Sequence, residues 1–223
     1  PYSIDWGTVS DVTDVAQVVD GQWTIDANGG RPAQIGYDRF IAIGEETWGD
    51  YEITVPVIID AVDQAGAGGV SGTPGLGIVM RWQGHTDDPL PGMQPKSGWL
   101  PHGEIGWLRW KSDNTAELKF ETGLPKTDFS PVLGTRYIFK MKVETLPSFE
   151  SRYSFKVWED GQPEPDAWSI QRDNGGANDL STGSLLLLAH HVDASFGNVS
   201  VVPVTPGYSV TTSVIGNGTV TNS

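Results

Sequence analysis

Thr135 to Glu144 reads TRYIFKMKVE, and Arg152 to Glu159 reads RYSFKVWE. In the first, Tyr137, Phe139, Met141 and Val143 fall on one side, with Lys140 and Lys142 on the other; the second repeats the pattern. Period-two alternation belongs to a strand with one buried face, not to a helix. Asp160-Gly161 then supplies a turn. Working outward, the same reading predicts strands at Gln22–Asp26, Arg39–Ile43, Tyr51–Ile59, Leu76–Gln83, Glu104–Trp110, Ala116–Glu121, Ser184–His191 and Ala194–Val202. Asn28-Gly29-Gly30 reads as a turn, Pro56 as the mark of an edge position or a bulge, and Pro163–Asp179 as a polar excursion. Short strands with turn punctuation and no amphipathic helical period predict an all-β fold, a two-sheet antiparallel β-sandwich. A parallel α/β fold needs helices between its strands.

The chain has 223 residues, enough for a core without covalent staples, and no cysteine, which excludes disulfides and thiolate metal sites. With 28 Asp+Glu against 14 Lys+Arg, its formal net charge of -14 argues against nucleic acid and anionic membranes as partners. Highly sulfated or uronate-rich polymers are disfavoured too, unless a local basic patch exists. No apolar run is long enough to span a membrane. The chain opens at Pro1 without a Met and shows no signal peptide, which reads as a processed or excised piece of a longer protein. Residues 1–203 are expected to form the sandwich. Residues 204–223 are expected to be a linker and, around Asn217-Gly218, the first hairpin of a following module. Covalently linked neighbouring domains are therefore among the expected partners.

The functional reading starts from Leu76 to Trp110, which holds four of the nine tryptophans and two of the four histidines. A Pro/Gly-rich loop between two strands, carrying Trp and His, suits a binding site. Sugar recognition needs an apolar stacking plate with a few planar donors and acceptors. Trp99, Trp107 and Trp110 are the candidate plates; Arg81, Gln83, His85, His102, Glu104 and His190 are the candidate polar contacts. Strand parity with Ile78, Met80 and Trp82 inward turns Arg81 and Gln83 outward, and parity with Ile105 and Trp107 inward turns Glu104 and Trp110 outward. Arg109 shares the parity of Trp107. Ser184–His191 is apolar on both faces, which predicts cover on both. His190 and His191, as strand neighbours, are expected on opposite faces.

Several short motifs, in order, resemble the concanavalin A-like (laminin G-like) jelly-roll superfamily. They are Gly21-Gln22-Trp23, then Thr47-Trp48-Gly49-Asp50-Tyr51-Glu52-Ile53, then Gly77 to Trp82, then Tyr153 to Gly161, then Phe196-Gly197-Asn198-Val199-Ser200-Val201. The chain is also similar to 3-keto-disaccharide hydrolase-like domains, and its C-terminal hairpin resembles the start of a divergent internalin-B-type repeat. The resemblance implies a secreted or cell-surface bacterial parent and a ligand on the concave sheet or its rim. It also implies a structural Ca2+ held by an early acid, here Asp5, with Gly197 standing where the second acid is expected and Asp193 or backbone carbonyls as its substitute. The resulting expectation is a non-catalytic polysaccharide-binding module. The alternative is a glycoside hydrolase or polysaccharide lyase. The carboxylate spacing of laminarinase-type relatives is missing, so Glu104 with Glu121 or Asp193 would supply the acid/base pair. A structural spacer or adhesion domain is the third reading.

Overall fold

The computed structural model describes residues 1–67, 72–84, 100–176 and 179–205. The expected C-terminal hairpin, His85 and Trp99 lie outside the described residues. The strands are β1 (Tyr2–Ile4), β2 (Gln17–Asp20), β3 (Trp23–Asp26), β4 (Gly29–Pro32), β5 (Arg39–Ile43), β6 (Tyr51–Val62), β7 (Gly75–Trp82) and β8 (Glu104–Trp110). They continue with β9 (Ala116–Phe120), β10 (Lys126–Phe129), β11 (Arg136–Thr145), β12 (Ser151–Glu159), β13 (Ile170–Asn174), β14 (Ser184–His190), β15 (Val192–Phe196) and β16 (Val199–Pro203). Two short 3-10 turns, Trp6–Thr8 and Val12–Asp14, are the helical elements among the described residues.

These strands form two antiparallel sheets. One runs β13-β12-β11-β6-β15-β4-β3, with β16 also on β6 and β1 on β16; the other runs β10-β9-β8-β7-β14-β5-β2. The main core lies between them. Tyr51, Ile53, Val55 and Val57 from β6 and Tyr137, Phe139, Met141 and Val143 from β11 meet Ile78, Met80, Leu108, Leu118, Leu185 and Leu187 from the other sheet. The alternation read in TRYIFKMKVE is thus the inner face of the nine-stranded sheet.

Four local expectations are corrected. Gly29-Gly30 opens β4 rather than turning out of the sheet, and a Cβ on Gly29 would lie 1.9 Å from the Phe196 carbonyl oxygen, so only glycine allows that approach. The polar excursion contains β13, which pairs with β12 from Ile170 to Asn174. The closing stretch is two strands, because β15 pairs with the far half of β6 and β16 with its near half. Pro56 lies in a central strand, at the gap where one neighbour ends at Thr54 and the other begins at Val57. Its carbonyl accepts from the Gly197 N–H at 2.6 Å on that side. The absent Pro56 N–H would point the same way, so it interrupts no ladder.

The decisive deviation is in β7. Val79 pairs with Leu186 and Trp82 with Ser184, so Met80 and Arg81 together face Leu185. This is a β-bulge, and Arg81 occupies it at φ 54°. A bulge flips the side-chain parity after it. Arg81 therefore turns toward the nine-stranded sheet and Trp82 toward the outer face, opposite to the regular alternation expected from sequence.

Candidate functional site

The outer face of the seven-stranded sheet is laid out by strand register, since directly opposite residues share a face. One row runs Phe40, Leu188, Gly77, Trp107, Lys119, Lys126 across β5, β14, β7, β8, β9 and β10. The next runs His190, Gly75, Arg109, Glu117, Asp128. On the other side lies Ala42, Leu186, Val79, Ile105. The face is thus apolar at one end and charged at the other. Val19, Phe40, Ala42, Val79, Trp82, Ile105, Trp107, Leu186 and Leu188 form a second buried cluster there. The double-sided burial expected for SLLLLAHH follows: Leu185 and Leu187 face the main core, Leu186 and Leu188 this one.

At the charged end a cleft of about 120 Å³ is lined by Tyr37, Asp38, Trp107, Arg109, Glu121 and His190 over a floor of Phe40, Ile105 and Leu188. Gly75 makes the room: a Cβ there would lie 3.0 Å from both Arg109 Cδ and Trp107 Cε3, so those side chains lie across β7. Trp107 is only 4% exposed, and its Nε1 donates to Glu121 Oε2 at 2.6 Å. The Arg109 Cζ sits 4.5 Å from the Trp107 ring centre, and its Nε donates to Thr73 Oγ1 at 3.3 Å. Burial draws Arg109 below the usual arginine range, against the opposing charges of Glu121 and Asp38. It stays charged at any working pH. Across the cleft His190 Nδ1 lies 2.7 Å from Asp38 Oδ1, and the Tyr37 ring stands edge-on to His190 at 5.1 Å. Tyr37 is 56% exposed, and the charge of Asp38 foremost, then burial, raises its phenol above the usual range. A wider groove of about 600 Å³ continues from Arg109 and Glu121 past Lys119 and Glu117. Another cleft, about 350 Å³ between Tyr2, Trp48 and Val201, is mainly aromatic and aliphatic, and Asp50 beside it is committed to Arg81.

Of the expected site residues, Trp107 and His190 line this cleft. Arg81 does not. It is fully buried, with Nη2 donating to Asp50 Oδ1 at 2.8 Å and Thr145 Oγ1 at 3.0 Å, and Nη1 donating to Leu180 O at 2.6 Å and to Ser151 Oγ. It crosslinks the two sheets, and the bulge is the reason. Gln83 ties down a loop, its Nε2 donating to Thr182 O at 3.0 Å and Oγ1 at 2.8 Å. Trp110 is core, 7% exposed between the sheets, because β8 presents Ile105, Trp107 and Arg109 outward and Leu108 and Trp110 inward. Glu104, 2% exposed, accepts from Ile105 N at 2.9 Å and Glu121 N at 3.1 Å, with Arg172 at 3.7 Å. Burial raises its carboxyl. It clamps the end of β8, on the other side of the sheet from the Glu121 carboxylate, so the two do not face one cleft. His102 lies apart from the cleft lining, and burial pushes it down to about 4.

The histidine pair also departs from expectation. β14 ends at His190, and His191 sits at φ 53°, so the two rings meet at 4.8 Å instead of pointing to opposite faces. Among the described residues no three His, Asp or Glu side chains gather as a metal site. Asp5, the expected calcium ligand, is engaged within the chain. Its Oδ1 accepts from Gly7 N and from Asn198 Nδ2, both at 3.1 Å, clipping the N-terminus to the closing strand. Asn198 thus presents N–H, not oxygen, to that carboxylate. Asp193, the substitute ligand, pairs with Arg31 beside Asp26 and Asp60, so the cation those carboxylates surround is a guanidinium.

Sequence reasoning missed Tyr37, Asp38 and Arg109, and met Glu121 only as a partner for Glu104. Arg109 was legible, since it shares parity with Trp107. Tyr37 and Asp38 were not, because their partner His190 is 152 positions away from Asp38.

No protein family and no curated protein matches the sequence. Solved structures do share the architecture. The carbohydrate binding module CBM66 from Bacillus subtilis aligns with a TM-score of 0.52 at 13% identity, over 83% of this chain and 94% of that one. The VIP36 exoplasmic/lumenal domain, in a form bound to Ca2+ and Man3GlcNAc, gives 0.57 at 10% identity, over 94% and 93%. The alginate lyase Aly36B gives 0.53 at 10% identity, over 92% and 98%. At such identities the likeness is one of fold: this chain is a two-sheet antiparallel sandwich of the concanavalin A-like jelly-roll kind.

Proposed function

We propose that the chain binds carbohydrate on the outer face of its seven-stranded sheet, without catalysis, as a module of a secreted or cell-surface protein. The observation that carries this is the cleft at the charged end of that face. It gathers an exposed tyrosine ring, a guanidinium seated on a tryptophan, and an Asp–His pair over an apolar floor. Aromatic faces with a few fixed planar donors and acceptors are what a pyranose ring and its hydroxyls require. The stacking plate differs from the one read in sequence. Trp107 is covered by Arg109, so Tyr37 offers the open aromatic face and Arg109 the planar polar one. Support comes from the fold shared with the carbohydrate binding module CBM66 and with VIP36 in its Man3GlcNAc-bound form.

The test is a glycan-panel titration followed by tryptophan fluorescence, with reducing-end and unsaturated-product release read in the same wells, on wild type and Tyr37→Ala. Saturable binding without product, weakened about tenfold in the variant, fits the module reading. Silence across the panel returns the chain to the spacer reading. A second reading, polysaccharide cleavage, is favoured by one observation: His190 is oriented by Asp38 at 2.7 Å with the Tyr37 phenol beside it, a base-and-acid set in one cleft. Product release abolished by His190→Gln would establish it.

A further inference from the structure

We infer that the ligand of this cleft carries an isolated carboxylate, as a single uronic acid in an otherwise neutral glycan does, and that Arg109 is the residue that reads it. This rests on the carbohydrate reading above and names the class of sugar. Arg31, Arg39, Arg81, Arg152 and Arg172 each meet an Asp or Glu of the chain itself. In a chain with 28 acidic and 14 basic side chains, that is the expected fate of a guanidinium. Arg136, exposed at the start of β11 on the other sheet, meets no carboxylate among the described residues; within the cleft the guanidinium without one is Arg109. Among the described residues it has no carboxylate within 4.0 Å, and only its Nε has a hydrogen-bond partner, Thr73. Its seat on Trp107 and the room at Gly75 fix its place while Nη1 and Nη2 remain to be given. The acids around it are already engaged: Glu121 accepts from Trp107 Nε1, Asp38 faces His190, and Glu117, opposite it on β9, pairs with Lys126 at 3.3 Å. Lys119, opposite Trp107 on β9, likewise meets no carboxylate among the described residues, and it lies along the groove that continues from Arg109.

A planar guanidinium whose Nη1–Nη2 edge is free matches a carboxylate by paired parallel hydrogen bonds. The carboxylate is expected to be isolated because the surroundings repel a row of them. Glu117, Asp113 and Glu121 line the same groove, and the chain as a whole carries -14. A polyuronate would lay like charges along those acids, whereas one uronate among neutral sugars meets Arg109 alone.

The experiment is calorimetric titration of wild type, Arg109→Gln and Arg109→Lys with matched oligosaccharides. Neutral xylo-, manno- and galacto-oligosaccharides are each paired with the same chain bearing one glucuronic acid, and polygalacturonate is added as a polyanion. Wild type is expected to bind one acidic member at least about tenfold tighter than its neutral partner, the scale of a charge-assisted hydrogen bond. Arg109→Gln erases the difference, and Arg109→Lys, which keeps the charge but not the fork, restores part of it. Should Arg109→Gln melt early, Arg109→Lys carries the comparison alone. Equal affinity for both members of every pair overturns the inference while leaving the carbohydrate reading standing. Polygalacturonate binding more tightly than any singly charged chain overturns the isolated-carboxylate claim. Failure of every glycan to bind overturns the carbohydrate reading and the inference with it.

Discussion

Replacing Arg81 by methionine tests whether this side chain belongs to the core or to a ligand. The guanidinium is fully buried and donates to Asp50 Oδ1, Thr145 Oγ1, Ser151 Oγ, Leu180 O and, through Nε at 3.3 Å, Gly49 O. Methionine keeps much of the stem but leaves Asp50, whose side chain is 10% exposed, without its counter-charge. Breaking a buried pair from one side destabilises by about 3–5 kcal/mol, because the remaining charge stays desolvated. Residue 81 also sits at φ 54°, a conformation that disfavours a non-glycine residue by about 1–2 kcal/mol and is held here by those bonds. Without them nothing opposes the strain, so the loss is expected at the upper end of that range. For a chain of this size each kcal/mol moves the melting midpoint by about 2–4 °C, giving a fall of about 10 °C or more. The assay is urea unfolding by fluorescence, with glycan affinity measured on the protein that remains folded. Adding Asp50→Leu to Arg81→Met should recover part of the loss by removing the orphaned charge. Stability within about 1 kcal/mol of wild type together with lost glycan affinity would refute the crosslink and return Arg81 to the binding face.

Trp110→Ala should destabilise by about 3–5 kcal/mol through the cavity it leaves between the sheets, with unchanged affinity once the fraction folded is accounted for; denaturant midpoints and titrations on the same samples check this. Gly75→Ala should displace Arg109 and Trp107 and weaken glycan binding at modest thermal change, since its Cβ meets both at 3.0 Å. His102 is held neutral by burial, with its folded value lowered to about 4 from an ordinary 6.5. Its contribution is therefore present above 6.5 and lost as pH falls through 4. The lowering corresponds to about 3 kcal/mol, and His102→Gln should flatten the pH dependence of the urea midpoint in that window. Glu104 runs the other way. Burial raises its folded value, so its contribution is full below the ordinary carboxylate range and lost as pH rises through the folded one; Glu104→Gln should remove that slope in the same assay.

Local signals in the sequence carried the sandwich a long way. Arg39–Ile43 and Glu104–Trp110 have the predicted bounds, and the alternation of Tyr51 to Val57 and of Tyr137 to Val143 gave the inner face correctly. What failed has a common cause, pairing that depends on distant partners. Gly29-Gly30 looks like a turn until Phe196 packs against it, and the QRDN of β13 looks like a loop until β12 supplies its ladder. Pro56 looks like an edge until two neighbours divide β6 between them. The site was half legible. Trp107 and His190 were named from composition, although the parity reading turned Trp107 inward, while Asp38 and Tyr37 precede a strand and take meaning only from a histidine far along the chain.

The bulge at Arg81 links fold and site more closely than either describes alone. Had the same residues run on in unbroken alternation, Trp82 would enter the core and Arg81 the outer face, giving that face a second guanidinium and leaving Asp50 without its counter-charge inside. With it, the arginine that closes the sandwich is spent internally, and the apolar end of the outer face gains Trp82 beside Leu186 and Val79. Arg109, on a regular strand with no such shift, is left as the guanidinium of the cleft. Deleting Arg81 should therefore remove the tie to Asp50 and destabilise the fold, while Val79, Met80 and Trp82 run on in regular alternation with Trp82 still outward opposite Ser184. A deletion variant in which the fluorescence of the outer tryptophan cluster changed, as it would if Trp82 left that face, would mean the parity argument is mistaken.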